Sequence, residues 1–347
     1  MAEVKAPNVL EKPGDYTLKE IVLVNSIGEK FDIKPFVLEL NIYENIYQHT
    51  MIGNLVMTDI GNLVNLVPLQ GNERLYFKVQ TPGATGQSEM IDMSDESGHA
   101  FIITRLSDRK EISDRAHSYI LHFGTKEHIR NLRTRVSQAY DGPLEHGVLS
   151  MIHDEAYLNS QKQVFFEPTR NKDKIVIGNK RPFAAIDMIC HKALSQNGKG
   201  AGYFFYETTK GFHFRSWESM VAYQANVDPK DQNAELLELT TRTQMTPNKQ
   251  GRLPENQLAI DSYSFPINFD TEYMQGSGAY SQKVIMYNVY NKSFTTTEWK
   301  YHNYFDDFMH TDKNPVISKD PVDLDPKEPI DGPGDKGVSN YPGSYTS

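Results

Sequence analysis

Apolar and polar residues alternate along much of the first third of the chain. Lys19–Asn25 is mostly apolar, Ile27-Gly28-Glu29 is a turn signal, and Phe36, Leu38, Leu40 and Ile42 alternate with Val37, Glu39, Asn41 and Tyr43. A period of two sends successive side chains to opposite faces of a strand. Met51–Asp59, Arg74–Gln80, Ala100–Leu106 and Ser118–Phe123 continue the series, with Tyr119, Leu121 and Phe123 on one face. Thr81–Gly98, rich in Gly, Ser and acidic residues, reads as a long surface loop. Short strands with turn punctuation of this kind predict a small barrel or sandwich.

The period changes at Thr125. Thr125 is placed to N-cap a helix, with His128 at the third position, so the capping box is incomplete. Ile129, Leu132 and Val136 then recur at helical spacing. Gly142-Pro143 opens a second helix, with Leu144, Val148, Ile152 and Ala156 as its apolar stripe. Val164–Glu167 and Lys174–Ile177 read as strands. Pro182 starts a third helix that carries Phe183, Ile186, Ile189 and Leu194 inward and stops at Gly198. Tyr203–Arg215 is a hairpin whose three-residue turn ends in Gly211. Leu236–Met245, Gln257–Ile267 and Ala279–Tyr290 read as further strands, and Phe294–Phe308 is aromatic without a clear period. Both ends are polar. Residues 1–15 hold two prolines, and residues 311–347 hold six, a composition that buries too little to fold alone and predicts an extended tail.

Composition narrows the function. At 347 residues the chain has room for about two domains. A net charge of −9 argues against a general duplex-DNA binder, which carries a basic footprint. With 19 Tyr and 17 Phe, the aromatic share suits strands and interfaces. The one cysteine, Cys190, excludes an internal disulfide and a cysteine-based zinc site, and reads as a small buried hydrophobe on a helix. The N-terminus has no apolar signal region, and no run reaches the length of a membrane span.

Candidate chemistry is sparse. Asn197-Gly198-Lys199-Gly200-Ala201-Gly202 lacks the Ser or Thr of a phosphate loop and follows a helix rather than a strand. His153-Asp154-Glu155 lacks the i, i+4 histidine spacing of a zinc protease helix. His302, Asp306, Asp307 and His310 match no metal-ligand pattern, and there is no serine-hydrolase elbow. No catalytic residue, metal site or cofactor is expected. One charge cluster stands out: Lys126, Arg130, Arg133 and Arg135 against Glu127. It reads either as a solvated helix face or as an electrostatic dock for an acidic neighbouring subunit.

The run Gly53-x-Leu55-x-x-x-Asp59-x-x-Asn62-Leu63, then Pro68-Leu69-x-Gly71-x-Glu73-x-Leu75, resembles the first barrel of baseplate hub proteins from contractile-tailed bacteriophages. Lys180-x-Pro182-Phe183-x-x-Ile186 and the hairpin ending Phe212-His213-Phe214-Arg215-Ser216 are similar to the middle of the same proteins, so the likeness spans about residues 18–300. It implies a mainly β, α+β chain in five parts. These are an N-terminal arm (1–17), a first β-barrel (18–124), an α/β insertion (125–200), a second β-barrel (201–310) and an extended tail (311–347). It also implies a structural, non-enzymatic role in the virion tail baseplate, made in the host cytoplasm. The subunit would form a homotrimer with a pseudo-sixfold ring, joining the tail tube protein to the central spike protein among other baseplate subunits, with genomic DNA passing through the lumen unbound. On this reading Asp59, Asn62, Pro68, Gly71 and Glu73 shape the barrel rather than line a site. The competing readings are a carbohydrate-binding or fibre-adaptor β protein, for which only Trp217 and Trp299 are available, and a tail-associated peptidoglycan hydrolase.

Overall fold

In a computed structural model of the chain, the structure describes residues 16–60, 63–67, 69–81, 89–94, 99–113, 116–196, 202–220 and 281–307, with 270, 273, 277 and 345–346. The chain divides into two units, Met1–Asp261 and Ser262–Ser347.

The first unit opens with eight strands: β1 (Thr17–Val24), β2 (Lys30–Asp32), β3 (Val37–Tyr43), β4 (Ile52–Asp59), β5 (Arg74–Thr81), β6 (Glu89–Met93), β7 (Phe101–Ser113) and β8 (Ala116–Thr125). They form one antiparallel sheet in the order β2-β1-β5-β7-β8-β4-β3, with β6 paired to β5. No ladder joins β2 to β3 among the described residues, so hydrogen bonds do not close the expected barrel. Yet Leu23, Leu55, Phe77, Phe101 and Tyr119, from five different strands, are all 0% exposed. Every residue of that core lies between 18 and 123. Leu63 and Val64 of the short helix α1 (Leu63–Leu66) and Phe36 from the turn before β3 also pack on this core.

Particular residues set the details. Gly53 lies opposite Phe123, and a Cβ at Gly53 would sit 2.3 Å from the ring and 2.3 Å from the Asn41 carbonyl oxygen, so the aromatic covers the glycine. The alternation expected from Phe36 to Ile42 is broken by a bulge between Val37 and Glu39. Val37, Leu40 and Ile42 pack on the core, while Leu38 is exposed. Within the expected loop Thr81–Gly98, strand β6 pairs with β5 and buries Met93.

β8 runs directly into α2 (Lys126–Arg133), and an α/β domain follows: β9 (Val136–Pro143), α3 (Leu144–His153), β10 (Val164–Phe166), β11 (Lys172–Lys180), α4 (Pro182–Cys190), β12 (Tyr203–Thr208) and β13 (Gly211–Ser216). β9 pairs with β11, and the other sheet has the order β10-β13-β12. Val136, expected on a helix, begins β9, and Leu132 is exposed. The third helix ends at Cys190, well before Gly198. The core is built from α3, α4, Ile175 and Ile177 of β11, and Tyr203, Phe205, Phe212 and Phe214 of the hairpin. The hairpin expected to open a second barrel at residue 201 therefore belongs to the helical domain, whose helices need its aromatic face as cover. Gly211, at φ +139°, lets β13 lie against residue 163; a Cβ there would stand 2.3 Å from the Gln163 carbonyl oxygen.

In the second unit, β14 (Ser281–Asn288) and β15 (Ser293–Lys300) form an antiparallel ribbon. A short strand β16 (Tyr345–Thr346) pairs parallel to β14, and a helical turn α5 (Tyr301–Tyr304) follows β15. The expected strands Leu236–Met245 and Gln257–Ile267, the N-terminal arm up to residue 15 and most of the tail lie outside the described residues.

Candidate functional site: a buried charged junction

The sheet and the α/β domain meet on three ionic side chains. Lys162, Glu127 and Glu207 each have side chains that are 0% exposed. The Lys162 ammonium donates to Glu127 Oε2 at 2.8 Å and to Glu207 Oε1 at 2.5 Å, and lies 5.6 Å from the centre of the Phe212 ring. The remaining carboxylate oxygens are also engaged. Glu127 Oε1 accepts from the Ser160 hydroxyl at 2.6 Å. Glu207 Oε2 accepts from the Met51 amide at 3.0 Å and the Thr125 hydroxyl at 3.1 Å.

Local structure explains each placement. Glu207 shares the inward face of β12 with Tyr203 and Phe205. Glu127 is on the buried side of α2 together with Asn131. Thr125 sits at the N-cap position, but its hydroxyl turns to Glu207 instead of capping α2. The junction thus ties the entry to β4, the β8–α2 joint, the loop after α3 and the hairpin to one another.

Electrostatics follow from this packing. Burial alone would raise the pKa of Glu127, but Lys162 and the Ser160 hydroxyl hold it below the usual carboxylate range. Burial pushes Glu207 up to about 7, against the pull of Lys162 and with the help of the neighbouring Glu127 charge. Burial would lower the pKa of Lys162, but the two carboxylates more than offset it and raise it above its ordinary value. One cation thus faces two carboxylates, and burial beside the Glu127 charge favours the neutral form of Glu207.

A groove of about 410 Å³ opens beside the junction, lined by the 47–50 segment, α2 and the start of α4. His49 meets Asp187 Oδ1 through Nε2 at 2.8 Å, and its ring stacks on Phe183 at 5.1 Å. Asn131 Oδ1 accepts from the Phe183 amide at 3.0 Å, satisfying one free N–H of α4. The Glu44 carboxylate accepts from the Thr209 amide at 2.6 Å, adding a further link to the hairpin turn. These contacts hold the two parts of the first unit together.

The residues singled out in the sequence fall into different places. Glu73, 2% exposed, takes backbone N–H bonds from Gln70 (2.6 Å), Gly71 (3.0 Å) and Asn72 (3.1 Å), so its carboxylate staples the turn into β5. Gly71 has φ +90°, a conformation that favours glycine in this turn. Asp59, 1% exposed, accepts from the Val64 amide at 3.3 Å and the Tyr119 hydroxyl at 3.5 Å, and its Oδ1 has no partner among the described residues. Asn62 and Pro68 lie outside the described residues. Lys126, Arg130, Arg133 and Arg135 lie on and just after α2 with different exposures and contacts. Arg130 donates to the Tyr157 and Glu155 carbonyls at 3.0 and 2.7 Å, latching the loop after α3, whereas Arg133 and Arg135 are exposed. His153 bonds the Ser160 carbonyl oxygen at 2.8 Å and Asp154 caps the Ala156 amide, so that cluster shapes a turn. Cys190 is buried, and burial pushes its thiol up to about 12. Among the described residues, no group of three or more His, Cys, Asp or Glu is placed to hold a metal.

Little in the sequence marks this junction. Lys162 stands in a polar run and Glu127 within a basic one, and neither carries a motif. The one available signal was the alternation Tyr203, Phe205, Glu207, which puts a carboxylate on the apolar face of the hairpin.

No family model matches the chain, and no curated protein matches it. Solved structures do. They are tail proteins and relatives of tails. A 43 kDa tail protein of prophage MuSo2 from Shewanella oneidensis aligns over 56% of this chain and 54% of its own, at 12% identity and a TM-score of 0.34. The E. coli c3393 protein, a component of the type VI secretion system, aligns over 58% and 48%, at 8% identity and 0.33. Prophage tail protein gp18 from Listeria monocytogenes aligns over 83% and 69%, at 13% identity and 0.37. The chain spans about half the length of the first two.

Proposed function

We propose that this chain is a structural subunit of a phage-type tail: a baseplate hub protein whose trimer forms a pseudo-sixfold ring between tube and spike and surrounds the channel for the genome. The observation that carries this reading is the Gly53–Leu75 run, the one most like hub proteins in sequence. It folds as β4, a connection and the start of β5, with Gly53 covered by Phe123 and the connection tied down by Glu73. Its polar residues hold a framework. The same holds for the charged residues deeper in the first unit, where Lys162, Glu127 and Glu207 join two domains. A non-enzymatic role belongs to this proposal. Imaging of particles of the purified full-length chain tests it: rings of three copies around a central opening are expected, and single unringed chains at high concentration would overturn it.

A further inference from the structure

The second unit leaves large apolar side chains in solvent. The β14–β15 ladder runs from Ser281 opposite Lys300 to Asn288 opposite Ser293. Met286 and Tyr287 are 50% exposed, Val289 70%, Phe294 72% and Tyr290 97%. They are not confined to one face. The rings of Tyr287 and Phe294 touch across the ladder at 4.6 Å, Met286 points the other way, and Val289 and Tyr290 form the tip. β16 adds a neighbour only at Lys283 and Val284, so among the described residues the tip half has no third strand. A two-stranded ribbon is marginal in water, and a tip with large apolar side chains exposed on both faces and at its turn suits a site that another molecule covers.

We propose that the tip of this ribbon docks on a second copy of this chain. Charge favours an acidic occupant, and a second copy of this chain is one. Residues 281–300 carry three lysines against one glutamate, while the whole chain carries −9, so the remainder of each copy is strongly acid-rich. Lys283 pairs with Glu298 at 3.1 Å along the ladder. Lys292 stands in the turn beside the apolar tip, at φ +48°. A tip that joins aromatic rings to a cation suits an acidic partner: opposite charge steers the encounter, and the rings hold the contact. The inference rests on the oligomeric reading above and adds the surface that makes the contact.

The test compares sedimentation of the full-length chain with that of a Tyr290→Ser, Phe294→Ser double variant. The dissociation constant for self-association rises by at least about tenfold in the variant, while the thermal midpoint of the single chain falls by no more than a few degrees. A second measurement needs no variant: acetylation of Lys292 in the native sequence falls as concentration rises through assembly. If the native chain assembles, the variant assembles as tightly and Lys292 stays equally reactive, the ribbon does not meet a second copy, although the oligomer stands. If the native chain remains single at every concentration, both the docking surface and the oligomeric reading fall.

Discussion

Two aromatic hairpins of this chain meet opposite fates. β12–β13 places Tyr203, Phe205, Phe212 and Phe214 in a closed core, where Phe205 and Phe212 stack at 5.3 Å. β14–β15 pairs Tyr287 with Phe294 just as closely, yet leaves Phe294 72% exposed. Strand pairing is therefore set by alternation and turn chemistry, while burial is set by what lies over the face. For β12–β13 the cover is helix α4 and the charged junction on Lys162, both within the chain. For β14–β15 the cover proposed here comes from outside the chain.

The largest effect is expected at the junction. Lys162→Met leaves two buried carboxylates facing each other without a cation, and should destabilise the first unit by about 3–5 kcal/mol, read as a lowered urea midpoint. Truncating the two hairpins at matched rings sharpens the contrast. Phe205→Ala should cost about 3–5 kcal/mol through the cavity it opens. Phe294→Ser should cost only about 1 kcal/mol or less, the worth of its exposed ring contact with Tyr287. Equal losses at the two rings would mean that both hairpins are covered within the chain.

A smaller effect concerns pH. Glu207 has its pKa raised to about 7 in the folded chain, above its unfolded value of 4.5. The folded state then binds more protons between those values, so the contribution of Glu207 to stability is complete below about 4.5 and is lost as pH rises through about 7. Glu207→Gln keeps the shape and the acceptor for the Met51 amide but removes the titration. The difference in unfolding free energy between native chain and variant should fall across that window; a flat difference would contradict the junction described here.

Six strands of the first sheet, β1, β3, β4, β5, β7 and β8, were legible from apolar patterning and turn signals, whereas β2 is only three residues long and β6 lies within the Gly-, Ser- and acid-rich run 81–98. Asn25 and Gly28 close the first of these turns: Asn25 Oδ1 accepts from the Ile27 and Glu29 amides, and Gly28 adopts φ +94°. Closure of the sheet was not legible, since nothing local reports whether β2 reaches β3. The strand Val136–Pro143 was hidden by its polar make-up, because only one side of it meets the core. Of the site, Glu73 was singled out in the run that carries the resemblance, next to the turn it staples. Lys162 could not be found, because its meaning arises only when residues 127 and 207 are brought to it in space. Arg130 was grouped with its charged neighbours, yet its guanidinium is turned back onto the carbonyls of Glu155 and Tyr157.

Amide hydrogen exchange of the full-length native chain, followed across concentration, tests the central contrast most directly. The β12–β13 amides are expected to stay protected at every concentration, while those of β14–β15 gain protection only as copies assemble. Protection of both hairpins that is equal and independent of concentration would contradict it.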